Sequence, residues 1–247
     1  MSLRLIKNEL ETPPQGPDEE KLFLACQKIE TPITLEWING QYWLHSDNPQ
    51  ENPIGIEIDK TLSRHEEFFK RSSLQKELLA RAIGLKGAHR PNVTDLTAGL
   101  LGDSLLFLSF GCEVKAIERH PVIAFLIRSA ILNAQHPAVK KLTFCESDAG
   151  QFLSENPPTE VLYFDPMFED ANAKAMPRKE MRIFRNVIQE DLDAEAVFAQ
   201  ALKVKPKRLV VKRPRYSRQL SPIKPVEFLG KATRYDVYFP FDSNPLK

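Results

Sequence analysis

The sequence predicts an α/β protein, a doubly wound and mostly parallel sheet preceded by a small β-rich region. Three observations carry that prediction. From Val93 onward, short apolar runs of strand length alternate with longer helical patterns. One of these runs, Val161-Leu162-Tyr163-Phe164, is apolar throughout, as a strand buried on both faces must be. Residues 1–60 instead carry period-two alternation and turn signals.

Taken in order, Glu11–Glu20 is rich in proline and acid and reads as a loop, and Leu22–Ile29 fits either a short strand or a helix. Ile33, Leu35 and Trp37 alternate with polar residues and run into Asn39-Gly40, a hairpin-turn pair, before Tyr42, Trp43 and Leu44. Pro53–Asp59 alternates again and is expected as a further strand. From Ser72 the pattern becomes helical. Ser72 with Gln75 resembles a capping box, and Leu74, Leu78, Ala82 and Leu85 repeat at helical spacing until Gly84 and Gly87.

The sheet then follows as strand and helix in alternation: Val93–Leu96, Gly102–Phe110, Val114–Ile117, Val122–Asn133, Leu142–Cys145 and Val161–Phe164. Ala194–Leu202 is a further helix and Arg208–Lys212 a further buried strand. Thr233–Phe239 alternates and is expected to close the sheet as an antiparallel strand. The division expected is a β-rich N-terminal region over residues 1–60, a connecting helical segment over 61–90, and the main domain over 91–247.

Composition narrows the function classes. At 247 residues with a formal net charge of +1, affinity for a polyanion must come from local clusters of charge. Cys26, Cys112 and Cys145 lack metal or disulfide spacing and read as reduced thiols. The five histidines show no metal spacing either. Met1–Leu10 has no apolar leader core and no stretch approaches a membrane span, so a soluble, cytoplasmic protein without a membrane partner is expected.

In a sheet of this kind ligands bind at the carboxyl ends of the strands. The first strand ends in Asp95-Leu96-Thr97-Ala98-Gly99, and Gly99 with Gly102 lets the backbone turn tightly at a helix start, beside Asp103. The second ends at Glu118-Arg119, where an acid accepts from the ribose hydroxyls of a nucleoside. Together these favour an adenosine-containing ligand. The third ends at Glu146-Ser147-Asp148, equally suited to an adenine edge or a helix cap. The fourth delivers Asp165-Pro166-Met167-Phe168. Proline ends the ladder and restricts the residue before it to extended geometry, so the Asp165 carboxylate is held at the strand end.

Asp-Pro followed by an aromatic at the fourth strand is similar to the signature of S-adenosylmethionine-dependent methyltransferases acting on exocyclic amines. D-x-T-A-G at 95–99, E-R-x-P at 118–121, D-P-M-F at 165–168, K-E-M-R-x-F at 179–184 and V-V-K-R-P at 210–214 occur in that order. Over residues 54–240 the chain resembles the J-type guanine-N2 methyltransferases of small-subunit ribosomal RNA. That resemblance implies a Rossmann-like class I methyltransferase sheet, mostly parallel with its last strand antiparallel. It implies S-adenosylmethionine as cofactor, with S-adenosylhomocysteine as product and no metal. Cofactor contacts are implied for Gly99, Gly102, Asp103, Glu118, Arg119, Glu146, Ser147 and Asp165, and a catalytic role for Asp165, Pro166 and Phe168. The sequence departs from the family at 63–73, which lacks glycine, and at Gly102, which stands where an arginine usually precedes the acid.

Charge agrees with a polyanionic partner, small-subunit ribosomal RNA or the 30S particle. Lys203 to Lys224 contains nine basic residues and no acid, among them Lys212, Arg213 and Arg215, and Lys179 and Arg182 follow the D-P-M-F motif. If these stretches share the sheet's carboxyl edge they surround the site. Tyr216 offers a stacking surface. Two other readings stay open: methylation of another amine on DNA, protein or a small molecule, and a catalytically silent RNA-binding or assembly factor.

Overall fold

The computed structural model describes residues 3–7, 33–45, 52–155, 160–166 and 193–240. A small sheet comes first. Strand β1 (Leu3–Lys7) pairs parallel with β2 (Ile33–Ile38), which turns back into β3 (Gln41–His45). The turn is Asn39-Gly40 with φ of 51° and 81°, the left-handed pair that a two-residue hairpin requires.

Helices α1 (Ile58–Arg71) and α2 (Leu78–Ala82) lead to the main sheet. Its elements in chain order are β4 (Val93–Asp95), α3 (Gly102–Ser109), β5 (Val114–Glu118), α4 (Pro121–Asn133), β6 (Leu142–Glu146), α5 (Ala149–Glu155) and β7 (Val161–Phe164). Then follow α6 (Ala194–Lys203), β8 (Arg208–Pro214), β9 (Val226–Leu229) and β10 (Thr233–Tyr238).

The strand order is β6-β5-β4-β7-β8-β10-β9. The strands from β6 across to β8 pair parallel, and β10 is antiparallel to both β8 and β9. The chain enters at β4, winds outward to β6, and returns on the other side of β4 as β7. That reversal opens a crevice between the carboxyl ends of β4 and β7, where an open α/β sheet binds its ligand.

Burial on both faces explains the apolar strands. Val161 and Tyr163 face one core, shared with α3, α4 and the N-terminal hairpin. Leu162 and Phe164 face the other, built with α5 and α6. The hairpin is seated on α4 by Tyr42 against Phe125, their rings 4.7 Å apart. Both backbone amides of Gln135 and His136, just past α4, donate to the Asp59 carboxylate on α1. Among the described residues no helix is long and apolar enough to cross a membrane.

Two expectations need correction. Pro53–Asp59 is not a strand: only Ile54 forms a bridge, to Leu44, and helix α1 begins at Ile58. The alternation there reported burial of Ile54, Ile56 and Ile58, all 6% exposed or less, rather than ladder pairing. Ser72 does not start a helix; it is the extended residue that ends α1, followed by a 3-10 turn at Leu74–Lys76 and the short α2. Strand β9 and helix α5 went unanticipated because each is too short to show a period. The loop expected at Glu11–Glu20 and the element expected at Leu22–Ile29 lie outside the described residues.

Gly55 lies directly beneath the indole of Trp43. A Cβ there would come within 2.7 Å of the ring, so Gly55→Ala should destabilise the fold by about 1–3 kcal/mol, read as a lowered urea midpoint with unchanged m-value.

Candidate functional site

The site is a set of hydrogen bonds that tie the carboxyl ends of four adjacent strands together. The turn after β4 is fixed first. The Gly99 amide donates to Glu118 Oε2 at 2.9 Å, and the His120 amide donates to Oε1 of the same carboxylate at 2.7 Å. The acid at the tip of β5 therefore braces the glycine turn. Gly99 has φ 50° and Leu101 φ 63°, so the chain passes through left-handed geometry twice before α3 starts. A Cβ on Gly102 would meet nothing within 4 Å; the turn opens on free space at that point.

Asp165 is held from two sides. Its backbone amide donates to Thr97 Oγ1 at 2.8 Å, joining β7 to the β4 turn. Its carboxylate accepts from Lys212 Nζ at 2.7 Å. The same ammonium donates to Asp103 Oδ2 at 2.8 Å, and the Tyr163 hydroxyl donates to that oxygen at 2.6 Å. Burial pulls the Lys212 ammonium down, but the carboxylates of Asp165 and Asp103 raise it by more, well above the ordinary lysine range. Burial, reinforced by both carboxylates, pushes the Tyr163 phenol well up, so it stays a donor.

Asp95 lies beneath this cluster, 1% exposed. It accepts from Ser104 Oγ at 2.7 Å and from the Thr97 amide at 3.2 Å. Burial raises its carboxyl to about 7; the two hydrogen bonds oppose that shift and the charges of Asp103 and Asp165 add to it.

The remaining predicted positions divide. Glu146 pairs with Arg128 at 2.6 Å, and the Ser147 amide donates to the Glu118 carbonyl, so both flank the β5 tip. Asp148, not Ser147, caps α5, accepting from the Gly150 and Gln151 amides. Arg119 reaches Asp193 at 2.7 Å and Asp148 at 3.4 Å, bridging to the start of α6.

The basic residues require a correction. Lys203, Lys205 and Lys207 precede β8 and Arg208 opens it, so all four lie at the opposite, amino edge of the sheet, where Lys207 pairs with Glu160. Lys224 precedes β9, which runs in the same direction as β8, so it too lies toward the amino edge; only Lys212, Arg213, Arg215 and Arg218 stand at the carboxyl end. Of these Lys212 is ion-paired as above. Arg213, expected as an RNA contact, is 5% exposed, and its guanidinium donates to the Arg218 carbonyl and Ser217 Oγ. Arg215 donates to the Gly230 carbonyl. Pro166 follows Asp165 at the strand end, whereas Phe168, Lys179 and Arg182 lie outside the described residues.

Sequence reasoning missed Asp95, Thr97, Tyr163 and the bridging role of Lys212. One signal was present: Tyr163 is the single hydroxyl in the apolar run of β7, and it stands in register with Asp95.

The chain matches the model of a SAM-dependent methyltransferase family over residues 20–240. It is 37% identical over 229 residues to the ribosomal RNA small subunit methyltransferase J of Thioalkalivibrio sulfidiphilus, covering 89% of each chain. It is 38% identical to the protein of that name from Laribacter hongkongensis, covering 83% of this chain and 75% of the relative. With the Coxiella burnetii protein of that name, identity is 39%, over 75% of this chain and 74% of the relative. Among solved structures, a SAM-dependent methyltransferase from Neisseria gonorrhoeae shares the fold, with 22% identity, a TM-score of 0.68 and 98% of each chain covered.

Asp95 sets a pH dependence of stability. Its folded value near 7 lies above the ordinary 3.8, so the folded state holds a proton that the unfolded chain has released. That contribution is complete below the ordinary value and is lost as pH rises through about 7. Asp95→Asn should therefore gain stability relative to the parent as pH rises from 5 to 8 in denaturant titrations; a constant difference across that range would show that Asp95 does not titrate there.

Proposed function

The chain belongs to the SAM-dependent methyltransferase family, with ribosomal RNA small subunit methyltransferases J as relatives, and from that premise we propose that it methylates the exocyclic N2 of a guanosine in small-subunit ribosomal RNA. The observation that carries this reading is Asp165, a carboxylate fixed at the end of β7 by Thr97 and Lys212 and adjoining the braced glycine turn.

The residues present suit the cofactor. Gly99 turns the backbone through left-handed geometry and Gly102 faces open space, Glu118 places an acceptor at the tip of β5 for ribose hydroxyls, and Glu146 and Ser147 flank it. S-adenosylmethionine, when bound, supplies an electrophilic methyl group. The protein's part is to present the nucleophile. A guanine amino group reacts poorly because its lone pair is conjugated into the ring. Asp165, with the backbone that follows it, accepts the amine hydrogens and lets the nitrogen pyramidalise and point its lone pair at the methyl group. No strong base is needed, since the alkylated nitrogen is cationic and sheds its proton readily. Lys212 orients Asp165 rather than binding phosphate, and the role of covering the ring face is assigned to Phe168 or Met167. The target base leaves its stack to reach this edge.

The chemistry is assigned to residues 91–247, with residues 1–60 a small β-rich N-terminal region and 61–90 the connection. Lys179 and Arg182 are assigned to the RNA backbone. The substrate is the RNA, free or in the 30S particle, and the setting is the cytoplasm.

Mass mapping of ribosomal RNA from cells lacking the protein should show one N2-methylguanosine replaced by guanosine; a full set of methylated guanosines would sink the assignment. Asp165→Ala should lower kcat by about 100-fold or more while the melting temperature holds. Lys212→Met should lower kcat by at least about ten-fold, with the slope of RNA affinity against salt unchanged. A slope reduced by about one would make Lys212 a phosphate contact instead.

A further inference from the structure

Tyr216 follows β8 at the same carboxyl edge that carries Lys212, and its side chain is 89% exposed, so it buries almost nothing for the fold. Yet the loop that displays it is held unusually firmly. Arg234, 6% exposed, binds Asp236 through Nε and Nη2, and its Nη1 donates to the carbonyls of Arg215 and Ser217 at 3.0 and 2.7 Å. Arg213 donates from the other side to the Arg218 carbonyl at 2.7 Å. The Arg215 amide donates to the Ala232 carbonyl, and the Ser217 amide and hydroxyl both donate to the Pro214 carbonyl. Two buried guanidinium groups thus fix the backbone on each side of a side chain that itself faces water. The Arg215 guanidinium, anchored on the Gly230 carbonyl, sits 5.6 Å from the centre of the Tyr216 ring.

We propose that Tyr216, backed by Arg215, is a stacking platform for an unpaired base of the RNA whose target amine Asp165 receives. An aromatic ring offers a flat apolar surface that any base covers, and a guanidinium near it adds a cation–π contribution. Fixing the loop in advance removes the ordering entropy that a mobile tyrosine would lose on binding. A base engages such a ring only when it is free of its own stack, so the platform selects loops, bulges or opened ends over continuous duplex. The inference rests on the reading of the chain as an RNA methyltransferase and adds to it a recognition residue distinct from the group that holds the amine.

The test compares the parent with Tyr216→Ala and Tyr216→Phe in methyl transfer to protein-free small-subunit ribosomal RNA and to the assembled particle. Calorimetry with S-adenosylmethionine and thermal melting serve as controls. Tyr216→Ala should raise KM for protein-free RNA by about ten-fold or more, with the salt slope, cofactor affinity and melting temperature unchanged. Tyr216→Phe, which keeps the ring, should behave as the parent. An alanine variant as active as the parent overturns the platform alone. A defect confined to the assembled particle makes Tyr216 a protein contact and also overturns it. A parent that binds cofactor but methylates neither substrate removes the functional reading, and the platform with it.

Discussion

The ammonium of Lys212, shared between Asp103 and Asp165, is the contact on which the site depends. The three residues come from β8, the start of α3 and the end of β7, so one cation fixes the relative position of three segments far apart in sequence. Removing it would leave two carboxylates facing each other at a half-buried edge, with Asp95 beneath them. The state of Asp95 follows from the same arithmetic of charge. One cation balances one of the cluster's acids, and the deepest of the remainder, denied both water and a partner charge, is pushed up to about 7. With Asp95 protonated, the group of Asp95, Asp103, Asp165 and Lys212 carries one net negative charge, an environment suited to a positively charged methyl donor.

Around that contact the backbone is tied off strand by strand. Glu118 holds the turn after β4, Thr97 holds the first residue after β7, and Asp148 caps the helix after β6. Each is a polar side chain at or just past a strand's carboxyl end, accepting from backbone N–H groups of its own turn, a neighbouring one, or both. The site is thereby set on rigid elements, which is what orienting a weak nucleophile demands. The basic residues do a different task from the one their number suggests. Strand β8 divides the run, sending Lys203 to Arg208 to the far edge, and most of what remains is occupied internally: Lys212 on carboxylates, Arg213 and Arg215 on carbonyls.

Much of the fold was legible because buried parallel strands have a plain signature. Val114–Ile117, Leu142–Cys145 and Val161–Phe164 were visible as strand-length runs and Val122–Asn133 as a helix, each within a residue of the observed element. The failures have a common cause. Alternation in Pro53–Asp59 recorded which side chains face the core, and Ile54, Ile56 and Ile58 do, but whether the backbone pairs depends on a neighbouring strand that sequence does not display. Of the site, the strand-end acids Glu118 and Asp165 and the glycine turn were readable from position alone. Asp95 and Thr97 were quoted within a motif without roles, because their partners Ser104 and the Asp165 amide are brought near only by the fold.

By itself, then, the sequence determined the alternation of strands and helices from β4 to β8, the sheet edge where chemistry would gather, and Asp165 as its focal acid. Those features depend on local patterning: apolar runs set strands, proline and glycine end them, and topology rules place the crevice. Tertiary structure alone decided which charges meet. Lys212 and Arg213 are neighbours in sequence, yet their side chains leave β8 on opposite faces, as successive residues in a strand must. One therefore reaches Asp103 and Asp165 across the crevice, while the other turns inward to fasten the loop that carries Tyr216.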